Sequence, residues 1–177
     1  MLDLYKYSDS ELSKLLKTIE IIVDSREQEN QIILNWLSKH KIAYRIEKLD
    51  FGDYSFCLPK NEEFKIPNDL YFNNKIAIER KGSLDELAIN FTKDRTRLEE
   101  EFSSYTGKMT LLIENSQYND IMEHKYRSQY TPKAFIATLH TFSERYGFNY
   151  LFLPNNEYSG QFIAYTFYYY LRNYIKK

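Results

Sequence analysis

Three short apolar runs in this sequence end in clustered charge. IEIIVDSRE delivers Asp24, Arg26 and Glu27, the stretch around LDFGDY delivers Asp53 behind Gly52, and KIAIERK delivers Glu79, Arg80 and Lys81. In an extended strand alternate residues share a face, so Glu79 and Lys81 point one way and Arg80 the other. A carboxylate and an ammonium on one face, beside an Asp from a neighbouring strand, suit chemistry on a phosphate. Mg²⁺ is a hard ion that prefers carboxylates and water. Phosphodiester hydrolysis needs a nucleophile, a Lewis acid on the non-bridging oxygen and stabilisation of the leaving oxygen. Asp53, Glu79 and a third acid could hold the cation. Lys81 could orient the attacking hydroxide and offset negative charge. Taken alone, the Glu79–Lys81 pair fits an exposed cross-strand ion pair better than a site; the specificity lies in the full set.

That set resembles the PD-(D/E)XK nuclease core, and more closely the XPF family of structure-specific endonucleases. The family signature is Gly-Asp, a variable gap, Glu-Arg-Lys, three residues and then Asp, preceded by a Val-Asp-x-Arg-Glu strand. Every element stands here: Asp24, Arg26, Glu27, Gly52, Asp53, Glu79, Arg80, Lys81 and Asp85. Arg97-Leu98 matches the Arg-Leu pair of the family's next helix, and LLIE, ending at Glu114, matches the strand after it. The resemblance implies a metal-dependent DNA endonuclease. Glu27, Asp53 and Glu79 would be ligands of Mg²⁺ or Mn²⁺, with Asp24 behind them or as an additional ligand. Lys81 would serve the nucleophile. Arg26, Arg80 and Arg97 would contact phosphate or brace the carboxylates. Asp85 would orient Lys81 or Arg26, or serve simply as an acid at a helix N-terminus. The Arg80 side chain, on the opposite face from Glu79, could instead be structural.

DNA would be gripped by Lys93, Arg95 and Arg97 after the motif, or by Lys125, Arg127 and Lys133, which are interleaved with Tyr126 and Tyr130. Lysines neutralise phosphates and tyrosines can stack on unpaired bases; each cluster also reads as plain solvated surface. The resemblance implies branched or junction DNA as substrate, in repair, recombination or phage DNA processing, and pairing of two copies. The helices around Thr131–Tyr146 and Ser159–Lys177 could give an apolar face for a homodimer. Family members usually carry a helix-hairpin-helix module; no Gly-rich hairpin pair follows Glu114, so a stand-alone nuclease domain is expected. Two rival readings are a catalytically silent DNA-binding or scaffold subunit, disfavoured because the acids and lysine are present, and a nicking nuclease acting on plain duplex.

Composition limits the alternatives. The 177 residues suffice for one domain, and 43% hydrophobic content allows a sizeable core. With 24 basic and 25 acidic side chains the net charge is -1, so nucleic-acid binding must rest on a local patch. A lone Cys57 excludes a disulfide framework and a cysteine-based zinc site, and three scattered histidines do not suggest a metal cluster. No apolar run reaches the roughly 20 residues of a membrane helix. The N-terminus does not read as a secretory signal. There is no phosphate-binding glycine loop, so no nucleotide cofactor is expected. A cytoplasmic prokaryotic or phage-encoded protein is the simplest expectation. The 17 Tyr and 12 Phe fit AT-rich codon bias and, in the tail, helical core packing.

The elements that must position these residues alternate. Ser8 and Glu11 form a capping box before an amphipathic helix over 8–20, an N-terminal helical extension (1–20) to a single domain over 21–177. IEIIV, NYLFL, MTLLIE and KIAIERK read as strands, and AYRIE and YSFCL as two strands with a tight turn or bulge near Gly52. Helices follow at ENQIILNWLSKH, at SLDELAINFTKDRTRLEEEFSSY with a break near Asn90–Thr92, and from Thr131-Pro132 to a stop at Gly147. SQYNDIMEHKYRSQY reads as an irregular, mobile loop. The pattern predicts an α/β fold with a restriction-endonuclease-like core: a central mixed β-sheet flanked by helices, its site at the carboxyl ends of strands.

Overall fold

β-Branched runs alternating with amphipathic stretches build a layered α/β molecule, described by a computed structural model over residues 7–176; residues 1–6 of the expected N-terminal extension and Lys177 lie outside the described residues. The elements are α1 (Asp9–Leu16), β1 (Glu20–Asp24), α2 (Gln31–Lys39), β2 (Ala43–Glu47), β3 (Tyr54–Leu58), β4 (Leu70–Tyr71) and β5 (Ile76–Lys81). They continue as α3 (Leu84–Thr92), α4 (Arg95–Ser104), β6 (Lys108–Glu114), α5 (Tyr118–Met122), α6 (Pro132–Tyr146), β7 (Asn149–Leu153) and α7 (Ser159–Ile175). The strands of the described residues form one seven-stranded sheet in the order β2-β1-β3-β5-β6-β7, with β4 paired to β3 beside this path. β3 runs antiparallel to both β1 and β5, while β2 is parallel to β1 and β5, β6 and β7 are mutually parallel. The sheet is therefore mixed, as expected. Asp24, Lys81 and Glu114 end β1, β5 and β6 at the same edge of the sheet.

Local chemistry sets the helix ends. Ser8 and Glu11 form the reciprocal capping box, with Ser8 N donating to Glu11 Oε2 at 2.8 Å. Thr131 caps α6 with Pro132 at its first position, and Gly147 closes it in the left-handed region at φ 66°. The long helical stretch after β5 divides into α3 and α4 just beyond the expected break.

Period-two alternation sends each strand's side chains to two layers. Ile21, Val23, Tyr54, Phe56, Ile76, Ile78 and Leu112 meet α1, α2 and α7 on one face; Leu12, Leu15 and Leu16 of α1 belong to this same core. Ala77, Leu111 and Ile113 meet α3, α4 and α6 on the other. Part of the tail's aromatic content packs on the core, as expected: Phe167 is buried and meets Phe56 at 5.4 Å, while Tyr165 and Tyr169 stay about half exposed; within the core Phe56 also stacks on Phe72 at 4.4 Å. Truncating such a fully buried ring to Ala costs about 3–5 kcal/mol.

Two expectations need correction. β2 and β3 do not pair across a turn, because β1 lies between them; residues 48–53 instead cross the end of β1, where the Leu49 amide donates to Asp24 Oδ2 at 2.7 Å. The segment 116–130 is not a free loop. It contains α5, its Arg127 and Ser128 amides donate to Asp85, and Tyr126 packs against Phe135 at 5.2 Å.

Candidate active site

At the shared strand edge a cavity of about 240 Å³ is lined by Asp24, Arg26, Glu27, Asp53, Glu79 and Lys81, together with Asp50, Phe51, Gly52, Asn90, Arg97, Leu98 and Glu101. Three charged runs separated by up to 57 positions of sequence therefore open into one space, and carboxylates outnumber basic groups on its wall.

Each side chain is set differently. Asp53 is stitched between strands: its amide donates to Ile78 O at 2.9 Å, its carbonyl accepts from the Asp24 amide at 2.8 Å, and its Oδ2 accepts from the Arg80 amide at 2.7 Å. Gly52 makes this crossing possible. Its φ is +71°, and a Cβ there would lie 3.1 Å from both Ala77 Cβ and Ile78 O. Glu79 and Lys81 share a face of β5 as alternation requires, and Lys81 Nζ donates to Glu79 Oε1 at 2.6 Å. Glu86 of α3 is the second acid near that ammonium, at 3.7 Å.

Asp24 is almost wholly buried and spoken for. Its Oδ1 accepts from Arg26 N and Nε, both at 2.8 Å, and its Oδ2 accepts from Arg26 Nη2 at 3.0 Å and from Leu49 N at 2.7 Å. Arg26 also donates to the Leu49 carbonyl. These two residues hold the 48–53 crossing in place. Arg80 turns to the opposite face, where it pairs with Glu114 at 2.7 Å and with Glu27 at 3.2 Å.

The charge states follow from these surroundings. Burial, reinforced by the Glu79 charge and opposed by Lys81, pushes the Asp53 carboxyl well above the usual range. Burial likewise raises Glu27, against the pull of Arg80. Asp24 moves down: burial pushes it up, but hydrogen bonds from Arg26 and Leu49 outweigh that. Burial would lower Lys81, yet Glu79 and Asp53 raise it, so it is a cation at neutral pH.

An acidic, all-oxygen wall suits a hard divalent cation. Two further observations fit one. Burial and the Glu79 charge disfavour the Asp53 carboxylate even against Lys81, so a further positive charge would favour it, and Asn90 Oδ1 is buried in the wall with no hydrogen-bond partner among the described residues. No three His, Cys, Asp or Glu side chains of the described residues converge into a ready-made cage. Asp53, Glu79 and Glu27 all line the wall and are the acids that could close on such a cation.

The other expected residues divide. Arg97 lines the cavity while pairing with Glu101 at 3.5 Å. Arg95 points elsewhere, pairing with Glu99 and lying over the Phe142 ring at 5.0 Å. Lys93 is exposed, and so is Lys133. Lys125 is held by Glu123 and Asp120 at 2.5 and 3.3 Å. Asp85 orients neither Lys81 nor Arg26: its Oδ1 accepts from the amides of Arg127 and Ser128 at 2.7 and 3.3 Å, and its Oδ2 accepts from Arg127 Nε at 3.2 Å. Asp85 thus anchors the 127–128 backbone over α3. Asp50, Asn90 and Glu101 were not picked out from the sequence. Asn90 could have been, as a polar residue on the helix face that carries Leu87 and Phe91 inward.

The ERCC4 domain family model matches residues 23–166, which contain every residue of the cavity. No curated protein matches the sequence closely enough to stand as a relative. Among solved structures, XPF from Aeropyrum pernix superposes with a TM-score of 0.60 over 86% of this chain and 65% of its own, at 18% identity. XPF from Aeropyrum pernix in complex with DNA gives 0.59 over 87% and 65%, at 16% identity. At such identities the likeness is one of fold, and this chain spans 65% of the length of those structures.

Proposed function

Because the chain belongs to the ERCC4 domain family, that of XPF-type nuclease domains, we propose that it is a divalent-metal-dependent DNA endonuclease. One observation carries the reading: Glu79 and Lys81 share a face of β5, and the Arg80 amide between them fixes Asp53 beside them. When bound, a divalent cation would supply Lewis acidity at the scissile phosphate. The protein supplies the rest. Asp53, Glu79 and Glu27 would hold the cation. Lys81, kept protonated, orients the attacking water and offsets charge as it builds on the phosphate. Arg97, on the cavity wall, steadies the phosphate.

Branched or junction DNA is the proposed substrate. Arg127 supports it from a side chain 92% exposed on a backbone that Asp85 pins beside α3, and Lys133 adds a second exposed cation. We further propose self-association through α7. α6 spends its apolar residues on the core, whereas α7 leaves Tyr165 and Tyr169 about half exposed and, with Tyr158 just before it, they surround a groove floored by Phe162 and Leu153. Cutting of labelled fork, flap, four-way junction and plain duplex DNA tests the substrate. Faster cutting of the branched forms supports it, and equal cutting of all four contradicts it.

A further inference from the structure

Glu27 stands apart from the other acids of the cavity in how it is placed. Glu79 is fixed by its strand and Asp53 by main-chain bonds, but Glu27 lies in the connection between β1 and α2. Its Oε1 accepts from the Glu29 amide and from Arg80 Nη1, both at 3.2 Å. Arg80 is in turn held by Glu114, whose Oε2 accepts from Nη2 at 2.7 Å. The parallel register sets Arg80 opposite Leu112, so Glu114, two residues on, shares its face. Glu114 is fully buried and Arg80 is 8% exposed.

The cluster is incompletely paired. Arg80 Nε, Glu114 Oε1 and the Tyr54 hydroxyl are all buried without a hydrogen-bond partner among the described residues. Apolar side chains of similar volume commonly replace a buried ion pair with no loss of stability, and unmatched polar atoms strengthen that comparison. What apolar replacements could not do is hold a carboxylate at the cavity wall.

We propose that Glu114 is a positioning residue: through the Arg80 guanidinium it fixes Glu27 at the cavity wall, where a cation would bind. The inference rests on the reading of Glu27 as a ligand. Its test is calorimetric titration of the whole chain with Mn²⁺, without DNA, in a cycle of Glu114→Gln and Glu27→Gln. Glu114→Gln is expected to weaken Mn²⁺ binding about tenfold, the lower range for residues that orient ligands. In the Glu27→Gln background it is expected to add nothing. Unchanged affinity in Glu114→Gln, or losses that multiply in the double variant, overturns the positioning role. If Glu114→Gln does not fold, Glu114→Asp, which keeps the charge but withdraws it by one methylene, enters the same cycle with the same outcomes. A wild type that binds no Mn²⁺ overturns the cation reading and this inference together; wild-type binding that Glu114→Gln leaves intact overturns this inference alone.

Discussion

The backbone amide of Arg80 donates a 2.7 Å hydrogen bond to Oδ2 of Asp53, fastening the acid that precedes β3 to the strand that carries Glu79 and Lys81. The relative position of these acids is therefore a property of the sheet, and substitutions that keep the sheet should separate chemistry from folding.

Asp53 and Asp24 should respond oppositely to pH. Burial, then the Glu79 charge, raises the Asp53 carboxyl above its ordinary 3.8. The folded state thus holds that proton more tightly than the unfolded chain. The contribution is fully present below the unfolded value and is lost as pH rises through the folded one. Asp53→Asn, a mimic of the protonated form, should melt above wild type at pH 8 in EDTA, with the gap closing near about pH 4. Thermal melts across pH check this; a lower melting temperature at pH 8 contradicts it.

Asp24 is held below its ordinary value, because the Arg26 and Leu49 bonds outweigh burial. Its contribution is present above the unfolded value and is lost as pH falls through the folded one. Asp24→Asn should cost about 1–3 kcal/mol at neutral pH, since it weakens a buried, charge-assisted set of bonds. Denaturant titration at pH 7 and at pH 3 should show the deficit shrinking in acid.

Two glycines separate strain from function. Gly147 ends α6 at φ +66° with open space around its Cα, so Gly147→Ala should cost about 1 kcal/mol and leave activity intact. Gly52 has the same backbone demand, but an added Cβ would press on Ala77 and Ile78. Gly52→Ala should cost about 1–3 kcal/mol and also lower cleavage, because Asp53 is the next residue. Equal activity losses in the two variants would contradict the placement of Asp53.

Asp85→Asn should loosen the 127–128 backbone without touching the proposed cation ligands. Faster hydrogen exchange at Arg127 and Ser128, weaker DNA binding and unchanged Mn²⁺ affinity are expected. A drop in Mn²⁺ affinity would restore Asp85 to the catalytic set.

Much of the molecule was legible in its residues. The capping box at Ser8, the Thr131-Pro132 start and the Gly147 stop are local signals, and local chemistry decided them. The Glu79–Lys81 face followed from strand alternation alone. What escaped needed long-range register. Arg80 meets Glu114 only because β5 and β6 align Arg80 with Leu112. Asp85 announces a helix start, but not that a backbone 42 residues away folds onto it. The two strands flanking Gly52 looked like neighbours because they are adjacent in sequence; the insertion of β1 between them is a topological fact no turn signal carries. α5, only five residues long, is too short for helical periodicity to show.

The most direct measurement is cleavage of a labelled DNA fork with Mg²⁺ or Mn²⁺ by wild type, Asp53→Asn and Lys81→Met, each with fork binding measured in parallel. Wild type should cut, EDTA should stop it, and both variants should bind the fork without cutting. A wild type that binds the fork yet cuts with neither metal, or an Asp53→Asn variant that cuts at the wild-type rate, would contradict the assignment of this cavity to phosphodiester hydrolysis.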